Sequence, residues 1–227
     1  MLRPLSNTSN RDWRVACGEA GVDERELRAA CRRRGFTRRE VVFHEGDPSG
    51  AVHLLETGHV AVKLTTPLGD VAIVDVLQPG DTFGEQALVD SSGERTASVV
   101  ALGAVETMSI DAATFTRLFG ADSLQRFLIE LLGRRLGATN RQLLEARYVA
   151  AEQRMARCLG RLADQFAHTA DGSIPLTQAD IASMTGVTRS TANRLLRMLE
   201  RDGALEIARA RIRVIDRTVL ERRAGVA

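Results

Sequence analysis

Glycines at 46, 58, 69 and 80 follow one another at intervals of 12, 11 and 11 residues, and short β-rich runs lie between and around them. The runs are Val41 to Phe43, Ala51 to Leu55, His59 to Val62, Val71 to Val74 and Ser98 to Ala101. Short strands separated at regular intervals by turn glycines read as an all-β sandwich or barrel. A wound α/β enzyme would interpose helices of about 10–15 residues, and none fit here.

The flanks have a different texture. Residues 1–22 read as a polar arm, and residues 23–34 as a short helix with Leu27 and Ala30 inward. Residues 111–119 read as a helix capped by Asp111, and a long helical stretch follows from Ser123 to Ala167. Within it Leu132, Leu136, Thr139, Leu143, Ala146 and Ala150 recur at steps of 4, 3, 4, 3 and 4. A helix packed on its own domain would also carry an apolar stripe. A heptad seam, however, is the signature of two helices zipped together, which makes a second copy of this chain the expected partner. Thr139 interrupts the seam with a hydroxyl. A buried polar seam residue costs stability and marks a register or ligand role.

Downstream of Asp171-Gly172 the order is strand, helix, turn, helix, β-hairpin. Thr177 caps a first helix that begins at Gln178 and carries Ile181 and Ala182 on its core face. Gly186 occupies the turn, and Thr188 caps a longer helix whose buried stripe is Ala192, Leu195, Leu196 and Leu199. That spacing is a helix-turn-helix. Its second helix presents Arg189, Ser190, Asn193, Arg194 and Arg197 on the opposite face. Residues near the start of such a helix reach base edges in the major groove, and the arginine fork matches guanine O6 and N7. Arg209, Arg211 and Arg213 then alternate along a wing, placed for phosphate. The joint pattern is more specific than a basic patch alone.

The chain is long enough for two compact domains. The chain has 227 residues, 44% of them hydrophobic and 26% charged. From Gly172 onward ten arginines face six acidic residues, a net of +4, so the remainder carries −2 of the chain's overall +2. No apolar run approaches the roughly 20 residues of a membrane span, and the N-terminus has no apolar signal region. The expectation is a soluble, cytoplasmic protein without membrane contact. Cys17, Cys31 and Cys158 are scattered and read as free thiols, and neither they nor the four histidines have metal-site spacing, so no metal is expected. No nucleophile–base pair or His/Glu ligand cluster supports an enzyme.

The most informative stretch is Pro79 to Ser98. Gly84 permits a tight turn, and Glu85 follows with a carboxylate able to accept hydroxyl hydrogen bonds. Ten residues later come Arg95 and Thr96, a cation fork beside a hydroxyl, which is chemistry suited to a phosphate. Taken alone, a glutamate and an arginine ten apart are more often a plain salt bridge.

The segment FGE-x-A-L…E-R-T-A resembles the phosphate-binding cassette of the cyclic-AMP receptor protein and fumarate–nitrate-reductase regulator family. The resemblance covers residues 23–216. It implies an α+β chain: an N-terminal cyclic-nucleotide-binding β-roll (a double-stranded β-helix of jelly-roll type), a long dimerisation helix and a C-terminal winged helix-turn-helix. The corresponding boundaries are an arm at 1–22, the roll at 23–122, the dimer helix at 123–153 and the DNA-binding domain at 154–227. It implies that Gly84, Glu85, Arg95 and Thr96 grip the ribose and cyclic phosphate of cyclic AMP, with backbone amides from Gln86 and Ala87. It places Thr139 and Asn140 where the family contacts adenine across the dimer. Partners implied are double-stranded DNA with a palindromic operator, a second copy of the chain, and RNA polymerase. DNA contacts fall on Thr177, Gln178, Thr188, Arg189, Ser190, Asn193, Arg194, Arg197 and Arg211. The recognition helix departs from the family pattern Arg-Glu-Thr-Val-x-Arg, because Ser190 stands where an acid would accept from cytosine. Base preference there is therefore changed or relaxed. A ligand-independent regulator of the same fold, or one answering cyclic GMP or a dinucleotide, remains the alternative.

Overall fold

In the computed structural model, residues 12–66, 69–89 and 93–225 are described. They form two compact units, one within Ser9–Gly137 and one within Ala138–Ala227.

The first unit is the roll. β1 (Arg32–Phe36), β8 (Val105–Asp111), β3 (Ala51–Thr57) and β6 (Thr82–Phe83) form one antiparallel sheet in that order. β2 (Val41–Phe43), β7 (Ser98–Ala101), β4 (Val60–Thr65) and β5 (Val71–Leu77) form the other. Leu55, Phe83 and Val105 of the first sheet share a core cluster with Val60, Leu77, Val99 and Ala101 of the second. Side chains alternate along a strand, so β3 sends Leu55 into that core and Val52 and Leu54 to the opposite face. There they pack with Phe115 and Phe119 of α3 (Ala112–Phe119) and with Phe127 and Leu131 of α4 (Ala121–Tyr148). Asp111 caps α3, accepting from the Thr114 amide at 2.8 Å.

Two expectations for the N-terminal region are corrected. The arm is, from Trp13, a helix: α1 (Trp13–Ala20) is capped by Asp12, and Trp13 is 0% exposed in the same core cluster. Its Nε1 donates to the Leu55 carbonyl at 3.3 Å, and its amide donates to the Gly80 carbonyl at 2.9 Å. Burial of an indole with its N–H satisfied outweighs the polarity of the surrounding sequence. Residues 1–11 lie outside the described residues. The second helix, α2 (Glu24–Ala30), buries Leu27 but stops short of 34, because Arg32–Phe36 pairs with β8. Strand pairing overrides the helical propensity of three consecutive arginines.

The second unit begins inside α4. The long helical stretch, expected to hinge around Glu152–Arg157, divides slightly earlier, at Val149-Ala150, where Ala150 takes φ −58°, ψ 146° and starts α5 (Ala151–Phe166). Arg154 donates from Nη1 to the freed Val149 carbonyl at 2.7 Å, and Glu145 of α4 pairs with Arg157 and Arg161 of α5. The heptad positions Leu132, Leu136, Thr139, Leu143 and Ala146 are exposed along α4, whereas Ala150 lies past its end. α6 (Gln178–Thr185), α7 (Arg189–Arg201), the hairpin β9 (Leu205–Ala208) with β10 (Arg211–Val214), and α8 (Arg217–Ala224) complete the unit. Its core includes Met155, Leu159, Leu162 and Phe166 of α5 together with Leu195, Leu196 and Leu199 of α7.

Candidate functional site

β6 ends at Gly84, whose φ of 73° leads into a single 3-10 turn over Glu85–Leu88. A Cβ at Gly84 would stand 2.5 Å from Arg95 Nη1 and 3.1 Å from the Ala51 carbonyl oxygen, so both conformation and space require glycine. Arg95, just before β7, is 7% exposed. It donates from Nη2 to the Ala51 carbonyl at 2.9 Å and from Nη1 to the Gly84 carbonyl at 3.3 Å. Its guanidinium carbon lies 4.2 Å from the Phe43 ring centroid. Burial pulls the Arg95 pKa down from its ordinary value, and the charges of Glu85 and Asp47 oppose that.

Glu85 is 3% exposed, and its Oε1 accepts from Arg135 of α4. Arg135 Nη2 also donates to the Thr82 carbonyl at 2.7 Å. Among the described residues, three buried polar atoms on residues that line one cavity have no hydrogen-bond partner: Glu85 Oε2, Arg95 Nε and Ser49 Oγ. That cavity, of about 220 Å³, is also lined by Gly84, Gln86, Thr96 and Arg135, and Phe43, Val62, Leu64, Val74, Phe83 and Val99 supply its apolar wall. Beside it His53 stacks on Phe83, ring centroids 4.9 Å apart, and its pKa is lowered to about 4, mainly by burial.

The structure thus brings Gly84, Glu85, Gln86, Arg95 and Thr96 to one cavity. The Ala87 amide, expected to face a ligand, instead donates to the Gly84 carbonyl at 3.2 Å inside the turn. Thr139 and Asn140 are exposed on α4 in the other unit. Arg135 is the residue the cassette reading missed. In the sequence it belongs to the segment Arg134-Arg135-Leu136…Thr139-Asn140, which resembles the family's dimer helix, with nothing to link it to Glu85.

In the second unit Thr177 and Asp180 form a reciprocal capping box on α6, and Gly186 closes that helix at φ 63°. Thr188 caps α7 by accepting from the Thr191 amide at 3.2 Å. Arg189, Ser190, Asn193, Arg194 and Arg197 are exposed on the face away from the buried leucines, with Arg197 held 2.6 Å from Glu200. The wing differs from expectation. Arg209 sits in the hairpin turn, Arg211 pairs with Asp171 at 2.7 Å, and Arg213 pairs with Glu206. Exposed pairs of this kind are worth about 0–1 kcal/mol, so they hold the wing arginines only weakly.

Among the described residues no group of three or more His, Cys, Asp or Glu side chains could hold a metal, and no helix is long and apolar enough to cross a membrane. The three cysteines are free.

Fold and sites together define a regulator that joins a cyclic-nucleotide-binding roll to a DNA-reading helix-turn-helix. Comparison with known proteins agrees. Residues 33–122 match the family model of the cyclic nucleotide-binding domain, and residues 153–223 match that of the Crp-like helix-turn-helix domain. The chain is 30% identical over 195 residues to the CRP-like cAMP-activated global transcriptional regulator of Mycobacterium tuberculosis, spanning 83% of this chain and 86% of the relative. It is 30% identical over 193 residues to the cyclic AMP receptor protein of Thermus thermophilus, with the same coverage. The crystal structure of a CRP-family transcriptional regulator from Thermus thermophilus superposes with TM-score 0.72 at 26% identity, over 85% of this chain and 96% of that one. The c-di-GMP responsive regulator CLP of Xanthomonas campestris shares the fold, with TM-score 0.70 at 22% identity over 85% and 97% of the two chains. The chain belongs to the CRP/FNR family of transcription regulators, which are DNA-binding proteins and not enzymes.

Proposed function

We propose that this protein is a cytoplasmic homodimer whose DNA binding is controlled by cyclic AMP. One observation carries the proposal: a carboxylate oxygen and a guanidinium N–H, both buried and both without a partner, belong to residues lining one cavity. A buried unpaired polar group is costly unless a ligand satisfies it. A cyclic nucleotide supplies both complements, a ribose hydroxyl for Glu85 Oε2 and a phosphate oxygen for Arg95 Nε–H. Glu85, Arg95 and Arg135 sum to a single positive charge, which matches one phosphodiester better than the two of a cyclic dinucleotide. That balance, with the cAMP-activated relatives, favours cyclic AMP over the dinucleotide to which the more distant CLP responds.

The dimer follows from α4. Leu136 and Leu143 are 62% and 52% exposed on its seam, and a second copy of the helix would cover them. The family resemblance puts Thr139 and Asn140 against the base. Nucleotide then favours one arrangement of the paired helices, a population shift. The α4–α5 break is the hinge, and Arg154 ties it to the reading head by donating to both the Val149 carbonyl and the Thr185 carbonyl at the end of α6. In the favoured arrangement two α7 helices stand about 34 Å apart, one turn of DNA, over a palindromic operator. RNA polymerase is the further partner this role implies. The test is selection of duplexes from a random pool by the purified protein, with and without cyclic AMP. A twofold-symmetric motif recovered only with nucleotide is expected. A motif equally enriched without it would make the protein a ligand-independent regulator.

A further inference from the structure

The Thr96 hydroxyl donates its proton to Gln86 Oε1. Both side chains line the cavity, and Thr96 directly follows Arg95. A hydroxyl carries one proton and two lone pairs, so while Gln86 holds that proton Thr96 has only acceptor capacity left. A phosphodiester at neutral pH is likewise acceptor-only. Two acceptors facing each other repel, so Thr96 can serve a phosphate on Arg95 only after withdrawing its proton from the glutamine. We propose that Gln86 is an internal competitor of the ligand phosphate, which raises the nucleotide concentration the protein answers to. This rests on the cyclic-nucleotide reading of the same cavity.

The environment supports a modest brake. The Thr96–Gln86 bond is exposed, whereas the bonds of Arg95 are part-buried. Gln86 can therefore exchange Thr96 for water when displaced, at a fraction of what an orphaned buried group would suffer. The backbone of Gln86 is engaged separately, its carbonyl accepting from the Val89 amide at 3.0 Å, so a side-chain substitution leaves the turn in place. Methionine matches the length of glutamine without its acceptor. Glutamate strengthens the acceptor and adds a charge that repels phosphate.

The experiment is calorimetric titration of the full-length protein with cyclic AMP in a Gln86 series, repeated with Thr96→Val. Gln86→Met is expected to tighten binding by about three- to tenfold, the net worth of one hydrogen bond, and Gln86→Glu to weaken it by more than about tenfold. With Thr96→Val already present, Gln86→Met is expected to change nothing, because no proton remains to compete for. Unchanged or weaker binding in Gln86→Met, or the same gain in the Thr96→Val background, would overturn the competitor role while leaving the pocket assignment intact. Wild-type protein that gives no heat with cyclic AMP or cyclic GMP would overturn the pocket reading itself, and the competitor role with it.

Discussion

Arg135 on α4 reaches across fifty residues of sequence to donate to the buried carboxylate of Glu85, while its other Nη holds the Thr82 carbonyl at 2.7 Å. One guanidinium thus ties the middle of the long helix to the turn that carries Glu85. Removing one member of a buried pair strands the other charge. Arg135→Met is therefore expected to destabilise the protein by roughly 3 kcal/mol, the low end for a buried pair because the arginine is partly solvated. Adding Glu85→Met should recover most of that loss. The same loss for Arg135→Met in the wild type and in a Glu85→Met background, measured by urea unfolding, would show the pair to be energetically idle.

The fold of the N-terminal segment rests on Trp13. Trp13→Ala empties a fully buried site and leaves the Leu55 carbonyl without its indole donor. A loss of roughly 3–5 kcal/mol is expected, read as a lower urea midpoint with unchanged slope. A loss below about 1 kcal/mol would mean that α1 is dispensable to the roll.

Asp81 makes stability fall as pH rises. It is buried with its carboxylate accepting from the Gln78 amide at 2.9 Å, and burial raises its pKa from 3.8 to about 7, helped by the nearby charge of Asp75. The folded protein thus keeps a proton that the unfolded chain has released. The stabilisation is complete below pH 3.8 and is lost as pH rises through about 7. His53 acts at the other end. Its lowered pKa gives stability that is present above 6.5 and lost as pH falls towards about 4. Asp81→Asn should therefore gain on the wild type between about pH 5 and pH 8. Parallel stability curves over that window would refute the assignment to Asp81.

Arg194 lies on the exposed face of α7, six residues from the Thr188 cap, in the second turn of the helix. Arg194→Ala is expected to weaken binding to the selected operator by roughly 1–3 kcal/mol and to relax preference at one base position. Arg211, released from Asp171 to a phosphate, should weaken selected and random duplexes alike when changed to Ala. The same uniform loss for Arg194→Ala would make it a phosphate contact.

What the sequence disclosed about the fold follows from range. Turn glycines, strand runs and the caps Thr177 and Thr188 are local signals, and each marks the element found there. Features set by distant pairing were hidden. Arg32–Phe36 becomes a strand because β8 lies beside it, and Trp13 becomes core because Val52, Leu54 and the α3 and α4 phenylalanines share its cluster. The helix break at Ala150 had no glycine or proline to announce it, and Arg154 secures it from five residues downstream. In the cassette, glycine, acid, cation and hydroxyl were readable as types. That Arg135 holds the acid and Gln86 holds the hydroxyl is information only the folded chain contains.

The most direct test of the central claim is calorimetric titration of the purified protein with cyclic AMP, beside the Arg95→Leu variant and with cyclic GMP for comparison. The account predicts near one cyclic AMP per subunit in the wild type, weaker binding of cyclic GMP, and no measurable cyclic AMP binding in Arg95→Leu. No heat in the wild type, or an Arg95→Leu curve that overlays it, would contradict the claim that this cavity is the sensor.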